Sequence, residues 1–334
     1  MNQSPVSVAV IGVGEHGKNH ACQFKEMEGT ALVGVYDVRA ERCQQVAADL
    51  GVRGFATFRQ ALDSARAISV VIPTTDHAAV ALEAFDRGVD VLLEKPISRT
   101  LEEADHLIRR AESQGRILQV GHVERFNPGV VAAKALTRNP LFFEIHRLGV
   151  FTARSLDVDV VFDLMIHDLD LVLWMVPAPV SDVRAVGLPV LSDKVDIANA
   201  RVEFENGSVA NLTASRVSTE KVRKFRYFQP HEYISIDFSR RDALVIGVDR
   251  SDSKPRMGFR KLECKPTEPL RAELEVFVDC VRTRHAPLVG GREGRAALAL
   301  AERVMVCIEQ HAAHIGPPAT ALPLRRALGH SGEL

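Results

Sequence analysis

Short apolar runs punctuate the first third of the chain. Val6 to Ile11 is continuous and ends on a glycine, and similar runs recur at 31–36, 68–72, 89–93 and 117–120. Helix-like stretches lie between them at 15–27, 40–49, 76–87 and 100–114. Strands with no polar alternation have both faces covered, so this part predicts a parallel sheet between layers of helices. Thr100 and Glu103 are spaced as a capping box, which marks where the last of these helices starts.

Beyond residue 121 the pattern changes. A helix-like segment at 127–138 leads to an extended stretch at 142–151 and a second helix at 160–176. Alternating segments follow at 181–189, 196–205, 208–217, 223–229, 231–238 and 243–248, and Asn206-Gly207 between two of them signals a hairpin. Strands in series predict a second unit of α+β type on a largely antiparallel sheet. Two helices close the pattern at 269–284 and 292–313, and the Pro-rich remainder is expected to be a surface tail. The division is therefore 1–121 and 122–334.

Composition narrows the function. A chain of 334 residues suits two domains. Lys plus Arg is 42 against 43 Asp plus Glu, a net charge of −1, which argues against coating nucleic acid or membrane by bulk charge. The five cysteines are scattered with no C-x-x-C pair, so neither a disulfide framework nor a structural zinc site is expected, and no metal ligand set is assigned. Met1 runs almost directly into strand pattern, and no stretch of about 18 uncharged apolar residues exists. A soluble cytoplasmic protein is the expectation.

Gly12-Val13-Gly14-Glu15-His16-Gly17 is G-x-G-x-x-G directly after a strand and opening a helix. The glycines permit a tight turn and the approach of a pyrophosphate, and the helix N-terminus supplies amide donors. Asp37 ends the second strand twenty residues beyond Gly17, where an acid holds ribose hydroxyls. A carboxylate there favours NAD over NADP, with Arg39 and Arg42 keeping NADP as the lesser alternative.

Glu94-Lys95-Pro96 ends the fourth strand, at the edge where open α/β sheets bind ligands. In Val160 to Val176 an otherwise apolar helix carries Asp163, His167 and Asp170 at i, i+4 and i+7, on one face. Histidine suits proton transfer near neutral pH, although the same pattern fits a satisfied core histidine beside carboxylates. Asp168 points elsewhere and reads as structural. Arg125 and Asn127, after the fifth strand, either contact an anionic or hydroxyl-rich ligand or cap the helix after Pro128. Arg216, Lys221, Arg223, Lys224 and Arg226 set five positive charges against Glu220, as a solvated strand edge or a diphosphate site.

Together these motifs resemble the Gfo/Idh/MocA family of sugar oxidoreductases over nearly the whole chain, with Pro73 and His77, Arg125-x-Asn127-Pro128 and Asp163-x-x-x-His167 among the markers. The resemblance implies a Rossmann domain and a second domain on a mixed open sheet, whose outer face commonly builds a homodimer or homotetramer. It implies Lys95, Asp163 and His167 as the catalytic group. The cofactor NAD would be held by Gly12, Val13, Gly14, Glu15, His16, Gly17, Asp37, Arg39, Pro73, Thr74, His77, Glu94, Lys95 and Pro96. Glu15-His16 departs from the family, many of whose members carry less polar residues there.

The strings at 121–128, 162–173 and 223–238 are similar to the branch of that family that oxidises the C3 hydroxyl of UDP-N-acetylglucosamine ahead of an aminotransferase in lipid A assembly. That implies a UDP-sugar substrate held by Glu124, Arg125, Asn127, His167, Arg223 and Arg226. It also implies proton removal by His167, with Asp163 orienting or stabilising it and the nicotinamide near His77 and Lys95. A dehydrogenase for inositol, a free sugar or a UDP-uronic acid stays open, as does a nucleotide-sensing regulator on the same fold.

Overall fold

The computed structural model describes residues 4–152, 158–249 and 256–315. Six strands form the first sheet: β1 (Val6–Ile11), β2 (Thr30–Tyr36), β3 (Arg53–Gly54), β4 (Ala67–Val70), β5 (Asp90–Glu94) and β6 (Leu118–Gly121). Their order is β3-β2-β1-β4-β5-β6 and every pairing is parallel. The order reverses between β1 and β4, which opens a crevice at the carboxyl ends of these two strands.

Five helices connect the strands: α1 (Glu15–Glu26), α2 (Ala40–Leu50), α3 (Phe58–Ser64), α4 (His77–Asp86) and α5 (Leu101–Ser113). β3 and α3 were not expected from the sequence, because two strand residues and seven helical ones carry too little periodicity to register. The cap of α5 is as expected: Thr100 Oγ1 accepts from the Glu103 amide at 3.2 Å. Glu103 reaches back one residue further than a capping box requires, to the Arg99 amide at 3.0 Å.

After α6 (Pro128–Lys134) come β7 (Phe142–Val150), a π-helical turn at Val161–Met165 and α7 (Ile166–Met175). The rest of the second sheet is β8 (Val180–Leu188), β9 (Ile197–Phe204), β10 (Val209–Ser218), β11 (Val222–Gln229), β12 (Glu232–Asp237), β13 (Asp242–Asp249) and β14 (Arg256–Lys261). The order is β14-β13-β12-β11-β7-β10-β9-β8; β7 and β10 pair parallel and the other pairs antiparallel. The predicted hairpin turns at Gly207, whose φ of +83° is the left-handed conformation that glycine adopts without strain.

One face of this sheet is covered. Phe143, Ile145, Phe225, Tyr227, Ile234 and Ile236 pack against Met165, Leu169 and Val172 and against Leu300 and Val304 of the helix at 291–315. That helix, α9 (Gly291–Ile315), follows α8 (Pro269–Thr283).

Two expectations need correction. The helix expected over 160–176 begins as the π turn, with the Ile166 amide bonded five residues back to Val161. The division at residue 121 assigns α8 to the second unit, yet its Leu270, Leu274, Phe277 and Val281 join Val6, Val8, Val10 and Phe24 in the core of the first sheet. Arg284, just past α8, adds an ion pair to the buried Asp90 at the start of β5, with Nη2 3.0 Å from Oδ1. The expected surface tail lies outside the described residues. The five cysteines are free, and no helix among the described residues is long and apolar enough to cross a membrane.

Candidate active site

The glycine loop leaves β1 and enters α1 at the crevice. A side chain at Gly12, whose φ is +86°, would put its Cβ 2.2 Å from the Val71 carbonyl oxygen, and one at Gly17 would strike the Gly12 carbonyl oxygen at 1.9 Å. Both are glycine because loop and helix must close on the strands. Gly14 differs: its nearest neighbour is the Arg42 guanidinium at 3.9 Å, so the loop is open there. Gly12, Gly14, Tyr36, Asp37, Val71 and Pro73 are among the residues lining a cleft of about 690 Å³.

Asp37 lies in this cleft, but its carboxylate is already engaged. It accepts from the amides of Val13 and Arg39, both at 2.9 Å, and from the Arg42 fork at 2.8 and 2.7 Å. Burial pushes its pKa up, and these amides and Arg42 outweigh it and hold the acid below its ordinary range. A ribose hydroxyl at Asp37 therefore has to share or displace Arg42. Arg39 contributes its amide while its side chain stands exposed.

Thr74 opens a short 3₁₀ turn that leads into His77. His77 itself is buried, with Nδ1 2.9 Å from the Pro96 carbonyl and Nε2 3.0 Å from the Ile72 carbonyl. It braces two loops and has no free ring nitrogen to offer a cofactor. Glu94 ends β5 beneath the glycine loop, close to His16 and His20. Burial pushes its pKa up, but the bonds from these two histidines hold it well below the usual range.

Lys95 crosses to the second unit. Its Nζ donates to the Asp163 carbonyl at 2.7 Å and stands 3.5 Å from the Asp163 carboxylate. Among the described residues no hydrogen bond joins Asp163 to His167. Asp163 holds Lys95 here, against the expectation that it orients His167. His167 is buried at Nδ1 with no hydrogen-bond partner there among the described residues. Burial lowers its pKa well below 6.5, and the Lys95 and Arg147 cations push it the same way. The imidazole is neutral at pH 7, the form that accepts a proton.

Three expected ligand contacts are spent inside the protein. Arg125 is buried and forks onto Asp170 at 2.7 and 2.6 Å, over the Trp174 ring. Asn127 caps α6, accepting from the Gly129 amide at 3.1 Å and donating to Glu124 at 3.3 Å. Glu124 accepts from Arg147 at 3.0 Å.

The basic segment is likewise divided. Arg216 is turned inward to Asp196, the Lys224 ammonium bonds Asp237 at 2.6 Å, and Arg226 pairs with Glu144 at 3.1 Å. Strand alternation puts Arg226 on the sheet face opposite Arg223. Arg223 and Lys221 line a pocket of about 320 Å³ together with Arg147, Asp163 and Arg216.

Comparison with known proteins bears on this arrangement. The profile described as "Oxidoreductase family, NAD-binding Rossmann fold" matches residues 6–122, and that of the "GFO/IDH/MocA C-terminal domain" matches 130–229. The chain belongs to the Gfo/Idh/MocA oxidoreductase family.

Within that family, the UDP-N-acetylglucosamine 3-dehydrogenase of Acidithiobacillus ferrooxidans is 39% identical over 303 residues, covering 90% of this chain and 96% of that protein. A solved structure of that enzyme has a TM-score of 0.86 at 38% identity, covering 92% of this chain and 99% of that one. The scyllo-inositol 2-dehydrogenase (NAD(+)) of Bacillus subtilis is 25% identical over 321 residues, covering 85% and 88%. Levoglucosan dehydrogenase, solved with NADH and levoglucosan, shares the fold at 18% identity and a TM-score of 0.83, covering 92% and 98%.

The Gfo/Idh/MocA cofactor NAD fits the crevice on the chain's own geometry. The loop is closed at Gly12 and Gly17, open at Gly14, and followed by the N-terminus of α1, which is what a dinucleotide pyrophosphate needs. Sequence reading missed Arg147, the cation that bridges Asp168 and Glu124 at 2.7, 2.8 and 3.0 Å and is fully buried. Its signal was available: Phe143, Ile145 and Arg147 share one strand parity, so a charge stands in a core-facing position. His122, packed edge-on to His167 with ring centroids 6.3 Å apart, was likewise passed over.

Proposed function

We propose that the protein oxidises the C3 hydroxyl of UDP-N-acetylglucosamine to the 3-keto sugar. The observation that carries this reading is that Lys95, at the carboxyl end of β5, bonds Asp163 of the second unit, a residue that also lines the basic pocket with Arg223 and Lys221. The 39% identity to an enzyme of that name supports the substrate. NAD, when bound, would supply the acceptor for the C3 hydride. The neutral His167 accepts the hydroxyl proton, and Lys95 stabilises the developing oxyanion. Asp163 positions Lys95 through its carbonyl and carboxylate. Arg223 and Lys221 bind the diphosphate, backed by the Arg147–Glu124–Asp168 cluster.

The ketone product suits an aminotransferase that installs a C3 amine, as lipid A assembly requires. The enzyme works in the cytoplasm as a homodimer or homotetramer. Val248, Met257 and Phe259 stand exposed near the free edge of the second sheet, which supports self-association.

The test is reduced-nicotinamide absorbance with NAD and a panel of UDP-N-acetylglucosamine, UDP-glucuronate, scyllo-inositol and glucose. An aminotransferase and amino donor are added in a parallel set to draw off ketone. Turnover with UDP-N-acetylglucosamine in the coupled set is expected. Turnover with inositol alone replaces the substrate assignment.

A further inference from the structure

Outside the reacting group, a cluster of metal-ligating side chains lies where α1 meets the end of β5. His16 and His20 are one helical turn apart on α1, so their rings share a face. Glu94 points at both. Nε2 of His16 is 3.2 Å from Oε1 of Glu94, Nε2 of His20 is 3.4 Å from the same oxygen, and the two nitrogens are 3.3 Å apart. The three atoms form a nearly equilateral triangle. For a tetrahedral ion with bonds of about 2.0–2.1 Å, two ligand atoms stand about 3.3–3.4 Å apart. The triangle has the size of one face of that tetrahedron.

The surroundings match. His20 is wholly buried, and its Nδ1 is 2.9 Å from the Ser69 hydroxyl. A proton placed on Nδ1 and donated to Ser69 leaves a lone pair on Nε2, aimed at the triangle; a bond of this kind on the far nitrogen is what orients metal-ligating histidines. The side chain of Glu94 is 10% exposed and that of His16 is 51% exposed, so the site has a buried floor and one side open to solvent. Hydrogen bonding alone leaves the single Nε2–H of His16 to serve both the Glu94 carboxylate and the Nε2 lone pair of His20. A single cation at the centre satisfies all three lone pairs at once.

We propose that His16, His20 and Glu94 form a binding site for a divalent transition cation of the zinc class, three-coordinate from the protein with a fourth position open to solvent. Two imidazoles and one carboxylate are a donor set suited to zinc and cobalt. The ion would tie the glycine loop to the turn that carries Lys95. Cysteine spacing, on which the expectation of no metal site rested, carries no information about a histidine pair on a helix and a carboxylate seventy-four residues beyond it. The proposal is independent of the substrate reading.

The test uses the full chain, stripped with chelator and titrated with cobalt(II) alone. One equivalent is expected to give visible bands of tetrahedral intensity, without the near-ultraviolet charge-transfer absorption that thiolate ligation to the free cysteines would add. His16→Gln should abolish the bands, and its circular dichroism and melting should match those of the parent because residue 16 is half exposed. Ser69→Ala should weaken binding about 10–100-fold. Absence of cobalt bands in the parent, bands unchanged in His16→Gln, or thiolate charge transfer each overturns the site.

Discussion

His167 accepts a proton only while neutral, and its environment keeps it so: burial first, then Lys95 and Arg147, depress its pKa well below 6.5. The acid limb of kcat/KM for UDP-N-acetylglucosamine oxidation is therefore expected well under pH 6.5, with activity sustained at pH 6. His167→Asn and Lys95→Met should each cut kcat by about 10²–10⁴-fold, with the Kd for NAD near that of the parent. Near-parental turnover in either variant removes that residue from the chemistry. Asp196 titrates for a structural reason. Its burial raises the pKa, but amides of Val190, Leu191 and Ser192 and the Ser192 hydroxyl bring it from 3.8 to about 2. A depressed carboxyl stabilises the fold above pH 3.8 and loses that contribution as pH falls toward 2. The gap corresponds to roughly 2 kcal/mol. Asp196→Asn should be less stable than the parent by about that amount in urea melts at pH 7, and the difference should shrink below pH 3.

At the scale of elements, β11 shows how a strand divides a charge cluster. Residues 216–226 read as one basic segment, yet the two-residue period sends Arg223 to the pocket and Arg226 to the opposite face, onto Glu144. Arg223→Ala should raise KM for the UDP-sugar about 10–100-fold, the loss of charge-assisted bonds. Arg226→Ala should leave KM within about twofold. Equal effects in steady-state kinetics would show that both arginines reach substrate. The glycine loop and its helix were legible because their spacing is local. So were the strands of both sheets, except β3 and the edge strand β14, and the short α3 also escaped. The π turn was not legible, because its extra residue leaves the apolar pattern of 160–176 intact, and the Lys95–Asp163 contact joins distant segments that no local spacing connects. Arg125 and Asn127 illustrate another limit. Their types fit either a ligand or a cap, and only the position of Asp170 and the start of α6 decides.

For the whole molecule, the decisive fact is that α8 crosses back. A linear reading places every residue after 121 with the second sheet, because neither periodicity nor composition records which core an amphipathic helix joins. The structure seats Phe277 wholly within the first core, beside β1 and α1. Phe277→Ala should cost about 3–5 kcal/mol. The loss should fall on the first sheet, read as faster amide exchange in β1 and β4 than in β9 and β10. Uniform acceleration across both sheets would mean that the two units unfold together.

The return of α8 has a consequence for synthesis. A nascent chain emerges from the ribosome N-terminus first, but the first sheet lacks one wall of its core until residues 269–283 arrive. The cofactor half, made earliest, completes its core only when α8 is made. Chains arrested on the ribosome short of residue 269 should remain open to protease across β1 and α1, although every residue of the glycine loop has long been exposed.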